Sequence, residues 1–308
     1  MKNTFQRLAY CATFVWCSVH AQDDTGPRRY LNEVFTETVR TGDVIYQEAF
    51  NDASGKNEKL TLRVYEPKAD TAAKRPLIVI TPGGGFVKHD DHWMDEFAEP
   101  LARAGYVVAL NRYRLANSIS SADEFFNALA KAHSDQRAAI RYFINDAKGA
   151  NRYRIDPQNI FIGGHSAGAI TSLYTAYLDA SESIPEPLQN ALKSQGGYNG
   201  KGGEHDEFKI RGVINLSGMI TDLNLIDANE PALLSIHGDQ DSVVKIEGSA
   251  GQFGSIPIDQ RAQNVGLAHQ LYVVRGGLHN DTSLPVRCPE CVPLVRRFVF
   301  NHLTSAAN

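Results

Sequence analysis

Apolar and polar positions alternate in two short runs, Val44 to Phe50 and Lys59 to Tyr65, on either side of the turn-rich Asn51-Asp52-Ala53-Ser54-Gly55. A period of two around a glycine-containing loop predicts an antiparallel hairpin at one sheet edge. Beyond it the pattern changes. Largely apolar stretches near 77–81, 106–111, 159–163, 211–216, 232–237 and 270–274 predict strands covered on both faces. Between them, stretches at 93–104, 123–147, 166–178, 258–266 and 291–303 have the apolar spacing of helices. Strand and helix in alternation predict one α/β domain, a mostly parallel sheet flanked by helices on both faces, with functional groups gathered beyond the carboxyl ends of the strands. Residues 180–209 interrupt the pattern with Pro185, Pro187, Gly196-Gly197, Gly200 and Gly202-Gly203, and read either as a flap over the site or as a surface loop.

Three of the predicted strands run into turns that carry chemistry. Asn159 to Gly163 leads into Gly164-His165-Ser166-Ala167-Gly168, a strand, a tight turn with a serine at its tip, and then helical spacing from Ala169. Small residues two positions either side of Ser166 suit a strained turn in which strand and helix approach closely. Pro231 to His237 leads into Gly238-Asp239-Gln240-Asp241, and Ala268 to Val274 leads into Gly276-Gly277-Leu278-His279. Serine, acid and histidine therefore follow one another in the chain order of a nucleophile elbow and its partners. Upstream, Pro76 to Thr81 empties into Pro82-Gly83-Gly84-Gly85-Phe86, whose glycines leave backbone N–H groups free to face an oxyanion.

These four pieces resemble the α/β-hydrolase superfamily, and within it the secreted carboxylesterases and lipases with a glycine-run oxyanion loop. Tyr113-Arg114-Leu115 and the helix segment Asp135 to Tyr142 add to the likeness, which spans about residues 60 to 303. Pro82 stands where many relatives have histidine, and Ala169 where many have a further glycine. The resemblance implies Ser166 as nucleophile, His279 as base and an acid three residues after the glycine of a His-Gly pair, which is Asp241; Asp239 is then a brace for the turn. It implies the backbone N–H groups of Ala167, Gly84 and Gly85 as oxyanion donors, and neither metal nor organic cofactor. Phe86, Trp93 and Tyr113 are candidates for the substrate pocket or for the core. His165 is expected to pack away from the reacting face. His89-Asp90-Asp91-His92 has the look of a metal cluster, but adjacent acids between histidines seldom converge, and Asp90 or Asp91 can cap the helix near Trp93.

Composition narrows the setting. With 308 residues, 43% of them hydrophobic, the chain can bury one large core. Its net charge of -4, without long basic runs, does not suit a nucleic-acid partner. Lys2 and Arg7, the apolar run Leu8 to Cys17 and Val19-His20-Ala21 read as a signal peptide covering 1–21, too short for a transmembrane anchor, so that residues 22–308 would work in the periplasm or outside the cell. Cys288 and Cys291 would then meet oxidants and pair as a disulfide behind the turn of His279. The expected reaction is hydrolysis of short- to medium-chain carboxylic esters, on cell-wall material or polyesters. A serine peptidase of the same fold is the nearest alternative, though such enzymes usually carry an extra domain ahead of the core. A non-catalytic binding module, which predicts loss of a triad member, is the more distant one.

Overall fold

Why the strands lie in the middle of the molecule is plain from β4, Arg75–Thr81, in which every residue is buried. Leu77 and Val79 face one side of the sheet, while Ile78 and Ile80 face the other. The computed structural model describes residues 26–204, 206 and 208–304; the leader expected at 1–21 lies outside them. Strands β1 (Thr38–Arg40), β2 (Val44–Asn51), β3 (Lys56–Pro67), β5 (Val107–Asn111), β6 (Ile155–His165), β7 (Ile210–Leu216), β8 (Ala232–Gly238) and β9 (His269–Val274) complete a nine-stranded sheet of order β1-β3-β5-β4-β6-β7-β8-β9, with β2 also paired to β3. From β5 to β9 every pairing is parallel; β1, β2 and β3 are joined antiparallel. The hairpin is β2 with β3, bulged between Ile45 and Gln47.

The period-two alternation along each central strand decides which helix covers which face. Leu62, Leu77, Val79, Ile160, Ile162, Val213 and Leu233 meet α2 (Ala122–Lys148), α3 (Ala167–Tyr177), α4 (Glu186–Ser194) and α5 (Ser255–Val265). Ile78, Ile80, Phe161, Ile214, Leu234 and Ile236 meet α1 (Met94–Arg103) and α6 (Cys291–Asn301) on the opposite side. Each such side chain contributes about 1.5–3 kcal/mol by leaving water. Helix α2 starts at Ser121, whose side chain accepts the Glu124 N–H, as propensity dictates. Helix α1 starts without a side-chain cap, because the Asp91 carboxylate is drawn to Arg63 and Arg112 instead.

Two elements were hidden from the pattern. β1 has only three residues, and α4 lies inside the proline- and glycine-rich segment 180–209, where Leu188, Ala191 and Leu192 are buried as α4 packs on α2. The rest of the segment is tied to α2 by polar groups: Tyr198 O accepts from His133, Asn199 from Arg137 and Arg141, and Asp206 pairs with Arg141 at 2.8 Å. Among the described residues, no helix is long and apolar enough to cross a membrane.

Candidate active site

The serine stands at the junction of β6 and α3 with φ +53°, ψ −121°, a region costly for a residue with a Cβ. The turn closes because Gly168 has none: a Cβ there would lie 2.0 Å from the Thr81 carbonyl oxygen at the end of β4. Removing side chains at Gly164 and Gly168 thus lets the elbow sit against the strand that leads to the glycine run. Ser166 N–H is held by Leu216 O at 2.9 Å.

Sequence positions 166, 241 and 279 meet here. His279 Nε2 lies 2.9 Å from Ser166 Oγ, and its Nδ1 lies 2.7 Å from Asp241 Oδ2. Asp241 Oδ1 accepts the N–H groups of Val243 and Val244, each at 2.9 Å. Burial alone pushes the Asp241 carboxyl up, but hydrogen bonds from His237 and His279, the charge of His279 and the Val244 N–H hold it well below the usual carboxylate range. Asp239 turns aside: it accepts the Gly276 N–H at 2.7 Å and reaches Arg275, bracing the turn before His279. The loop after His279 is fastened where Thr282 bonds Ser217 at 2.9 Å, and beyond it Cys288 and Cys291 form a disulfide at the start of α6.

Across the site, Gly84 takes φ +110° and Gly85 φ +63°. A Cβ on Gly84 would fall 2.2 Å from Lys88 O, so only glycine lets the loop fold back and place its carbonyl under the N–H groups of Val87 and Lys88. Among the described residues, the N–H groups of Gly84, Gly85 and Ala167 reach no protein acceptor. Ala167 opens α3, where a first-turn N–H has no intrahelical partner. The root of the loop is fixed by a buried chain of polar groups. Gln136 on α2 donates to Thr81 Oγ1 at 2.7 Å and to Ser172 Oγ at 2.8 Å, and Thr81 donates to Asn111.

The three aromatic candidates are all buried. Phe86 and Tyr113 pack edge-on to each other, Tyr113 also against His89, in the α2 face of the core. Trp93 belongs to the α1 face and packs on Phe97 and on His165, the residue before Ser166. Trp93 and Tyr113 thus build the walls on which the site rests. His165 does more than pack: its Nε2 bonds the His279 carbonyl at 2.9 Å, and its ring lies 4.9 Å from that of His279. Burial pushes the His165 imidazole down to about 4, with the charge of His279 adding to it. The roles of Gln136, of His237 in its His-Gly pair, and of His165, expected only to pack, were not readable from the chain, since nothing in the pattern says where a polar side chain turns. The 89–92 cluster disperses: His89 bonds Tyr113 O, Asp91 pairs with Arg63 and Arg112, and exposed His92 pairs with Asp90. No group of three or more His, Cys, Asp or Glu side chains is placed to hold a metal ion among the described residues.

Solved structures share this fold. A thermophilic esterase, Est2, from the planctomycete Thermogutta terrifontis with propionate bound aligns with a TM-score of 0.63 at 18% identity, over 84% of this chain and 93% of that one. Its native form gives 0.62 at 18% identity over 87% and 95%, and esterase 2 of the same organism phosphorylated by paraoxon gives 0.61 at 19% over 84% and 93%. No curated protein matches the chain. The sequence profile of the BD-FAE family, an α/β-hydrolase-type esterase domain, matches residues 62–226, a span that runs from β3 through the glycine loop and the serine elbow to the end of β7 and beyond. Over half of its length falls within that match, so the chain belongs to the BD-FAE family, among the carboxylic ester hydrolases of the α/β-hydrolase superfamily.

Proposed function

We propose that the protein hydrolyses carboxylic esters through an acyl-enzyme on Ser166. The observation that carries the reading is the continuous contact Ser166 Oγ, His279, Asp241 at 2.9 and 2.7 Å, beside three N–H groups that reach no acceptor among the described residues. His279 Nε2 takes the Ser166 proton as Oγ attacks the carbonyl carbon, and Asp241 holds the imidazole in place and steadies its cation. The tetrahedral oxyanion accepts hydrogen bonds from Ala167, Gly84 and Gly85, each worth about 3–4 kcal/mol to the transition state. His279 returns the proton to the departing alcohol. Water then enters, gives a proton to His279, attacks the acyl carbon, and the proton passes back to Ser166 Oγ as the acid leaves. No step calls on a metal or organic cofactor.

We assign the acyl group to a cavity of about 530 Å³ lined by Ile119, Ser121, Phe125, Phe126, Pro185 and Gln252, because the Phe125 ring meets Phe86, the residue after the glycine run, edge-on at 5.8 Å. That wall is apolar enough for short- to medium-chain acyl groups, and the head of segment 180–209 forms one side of it. Cell-wall esters and polyesters are the proposed natural materials, and the Cys288–Cys291 disulfide together with the charged and apolar first residues supports work in the periplasm or outside the cell.

Paraoxon, which phosphorylates the Thermogutta esterase, tests the nucleophile directly. The expected result is stoichiometric inactivation with the adduct on Ser166 by peptide mass spectrometry, no adduct in Ser166→Ala, and hydrolysis of p-nitrophenyl acetate to hexanoate abolished in that variant. Undiminished hydrolysis by Ser166→Ala refutes the mechanism.

A further inference from the structure

The acid of the triad is approached by two histidines. His237, the penultimate residue of β8, has no exposed surface, and its Nε2 lies 3.2 Å from Asp241 Oδ2, the same oxygen that meets His279. The ring is wired at both ends. Nε2 also faces Val244 O at 2.8 Å, and Nδ1 faces Ser255 Oγ at 2.7 Å. A carbonyl can only accept, so Nε2 carries a proton. Asn215 Oδ1 takes the Gly218 N–H at 2.9 Å, which turns its amide nitrogen toward Ser255 Oγ at 3.2 Å and Ser235 Oγ at 3.0 Å. With a lone pair of Ser255 occupied by that amide, its hydroxyl hydrogen is free to donate to Nδ1. Donor order therefore runs one way, from Asn215 through Ser255 to His237, whose single Nε2–H is shared between Val244 O at 2.8 Å and Asp241 Oδ2 at 3.2 Å, and these side chains are all buried.

We propose that His237 is a positioning residue of the triad: its Nε2–H, aimed by Ser255 and Asn215, fixes the Asp241 carboxylate in the orientation that receives the His279 Nδ1–H. The proposal rests on the acyl-enzyme reading above. The physical need is clear from the site. Asp241 stands in a turn after the last residue of β8, and its Oδ1 is held by two backbone N–H groups of that same turn. Those two bonds alone anchor the carboxylate only to its own loop. His237 ties the other oxygen to the strand and, through Ser255, to the first residue of α5. A carboxylate so held presents Oδ2 to His279 without reorganisation during proton transfer, which is where preorganised polar groups act on rate rather than on binding.

The test is steady-state kinetics on p-nitrophenyl acetate with the full-length protein. His237→Phe keeps ring volume and removes the donor; it is expected to lower kcat about 10- to 100-fold, the range for one hydrogen bond to a charged group, with KM within about twofold. His237→Gln can put an N–H near the Nε2 position and is expected to recover most of kcat. In an Asp241→Asn background His237→Phe is expected to change the residual rate by less than about twofold, because its effect passes through that carboxylate. Ser255→Ala, which leaves the ring but frees its far end, is expected to lose kcat in the same direction by a smaller factor. If His237→Phe does not give a cooperative thermal transition, the Gln and Ser255→Ala variants decide. Full kcat in folded His237→Phe or in Ser255→Ala, an equal loss with and without Asp241, or a loss confined to KM overturns the proposal. Ser166→Ala and paraoxon labelling run alongside separate the two readings: an active Ser166→Ala removes both, whereas an inactive Ser166→Ala with a fully active His237→Phe removes only this one.

Discussion

Replacing Asp135 by leucine would strand a buried guanidinium. Arg114 and Asp135 are 5% and 0% exposed. Arg114 Nη2 and Nε donate to Asp135 Oδ1 at 2.7 and 3.1 Å, the Arg114 backbone N–H donates to Oδ2 at 2.8 Å, and only Nη1 has another partner, Phe50 O at 2.8 Å. Losing one member of such a pair costs about 3–5 kcal/mol, which at about 2.1 cal/mol/K per residue over roughly 280 residues lowers Tm by about 5–9 °C. The double variant Arg114→Met with Asp135→Leu removes both charges and is expected to regain most of that loss, short by about 1 kcal/mol for the Arg114 backbone N–H left without an acceptor. Urea unfolding followed by circular dichroism, with equal m-values, measures both. Activity adds a second readout, because Gln136, next to Asp135 on α2, holds Thr81 at the root of the glycine loop, so the single variant should also lose kcat. The reasoning is refuted if Asp135→Leu stays within about 0.5 kcal/mol of the parent, or if the double variant is as unstable as the single.

Gly84→Ala should cut kcat at least about 100-fold with little change in KM, since the added Cβ collides with Lys88 O and tips the loop's N–H groups away from the oxyanion; a normal kcat would remove Gly84 from the site. Burial pushes the His133 imidazole, like that of His165, from 6.5 down to about 4. The unfolded chain then binds protons that the fold refuses, so the stability these groups lend is whole above pH 6.5 and drains away toward pH 4, on the order of 3 kcal/mol for each. Unfolding free energies at pH 7.0 and 4.5 should differ less in His133→Gln, which can keep a donor for Tyr198 O; an identical difference speaks against it. Glu230 is shifted the other way, raised from 4.5 to about 7 by burial and by the charges of Asp227, Glu182 and Asp179. Its folded form holds a proton that the unfolded chain has lost, so this group favours folding less as pH rises from 4.5 through 7. Glu230→Gln should therefore stabilise the protein at pH 8 and leave it unchanged at pH 4.5, as melting curves at the two values would show.

Strands buried on both faces were legible because nothing polar interrupts Leu77 to Ile80 and only Ser235 interrupts Ala232 to Ile236, and the helices between them because their apolar stripes recur. The positions of Ser166, Asp241 and His279 were legible for a different reason: each follows such a strand directly, in a turn whose glycines mark tight backbone. What stayed hidden is decided by contacts across the chain. Helix α4 depends on α2 to bury Leu188 and Leu192, and its prolines and nearby glycines conceal it locally. Trp93 is indistinguishable in sequence from a pocket aromatic, yet α1 carries it behind the sheet to His165. Gln136 is one polar residue on a long helix until Thr81 and Ser172 are seen beside it.

The segment 180–209 is clamped by residues that α2 supplies, His133, Ser134, Arg137 and Arg141, of which Ser134 accepts the Lys201 N–H. It is an appendage whose sockets lie on the host rather than on itself. Grafting it onto another hydrolase would require moving those four helix positions with it, and trimming it from this one would leave two arginines and a buried imidazole facing solvent. Redesign of the cleft through this segment is therefore a task in two places on the chain at once.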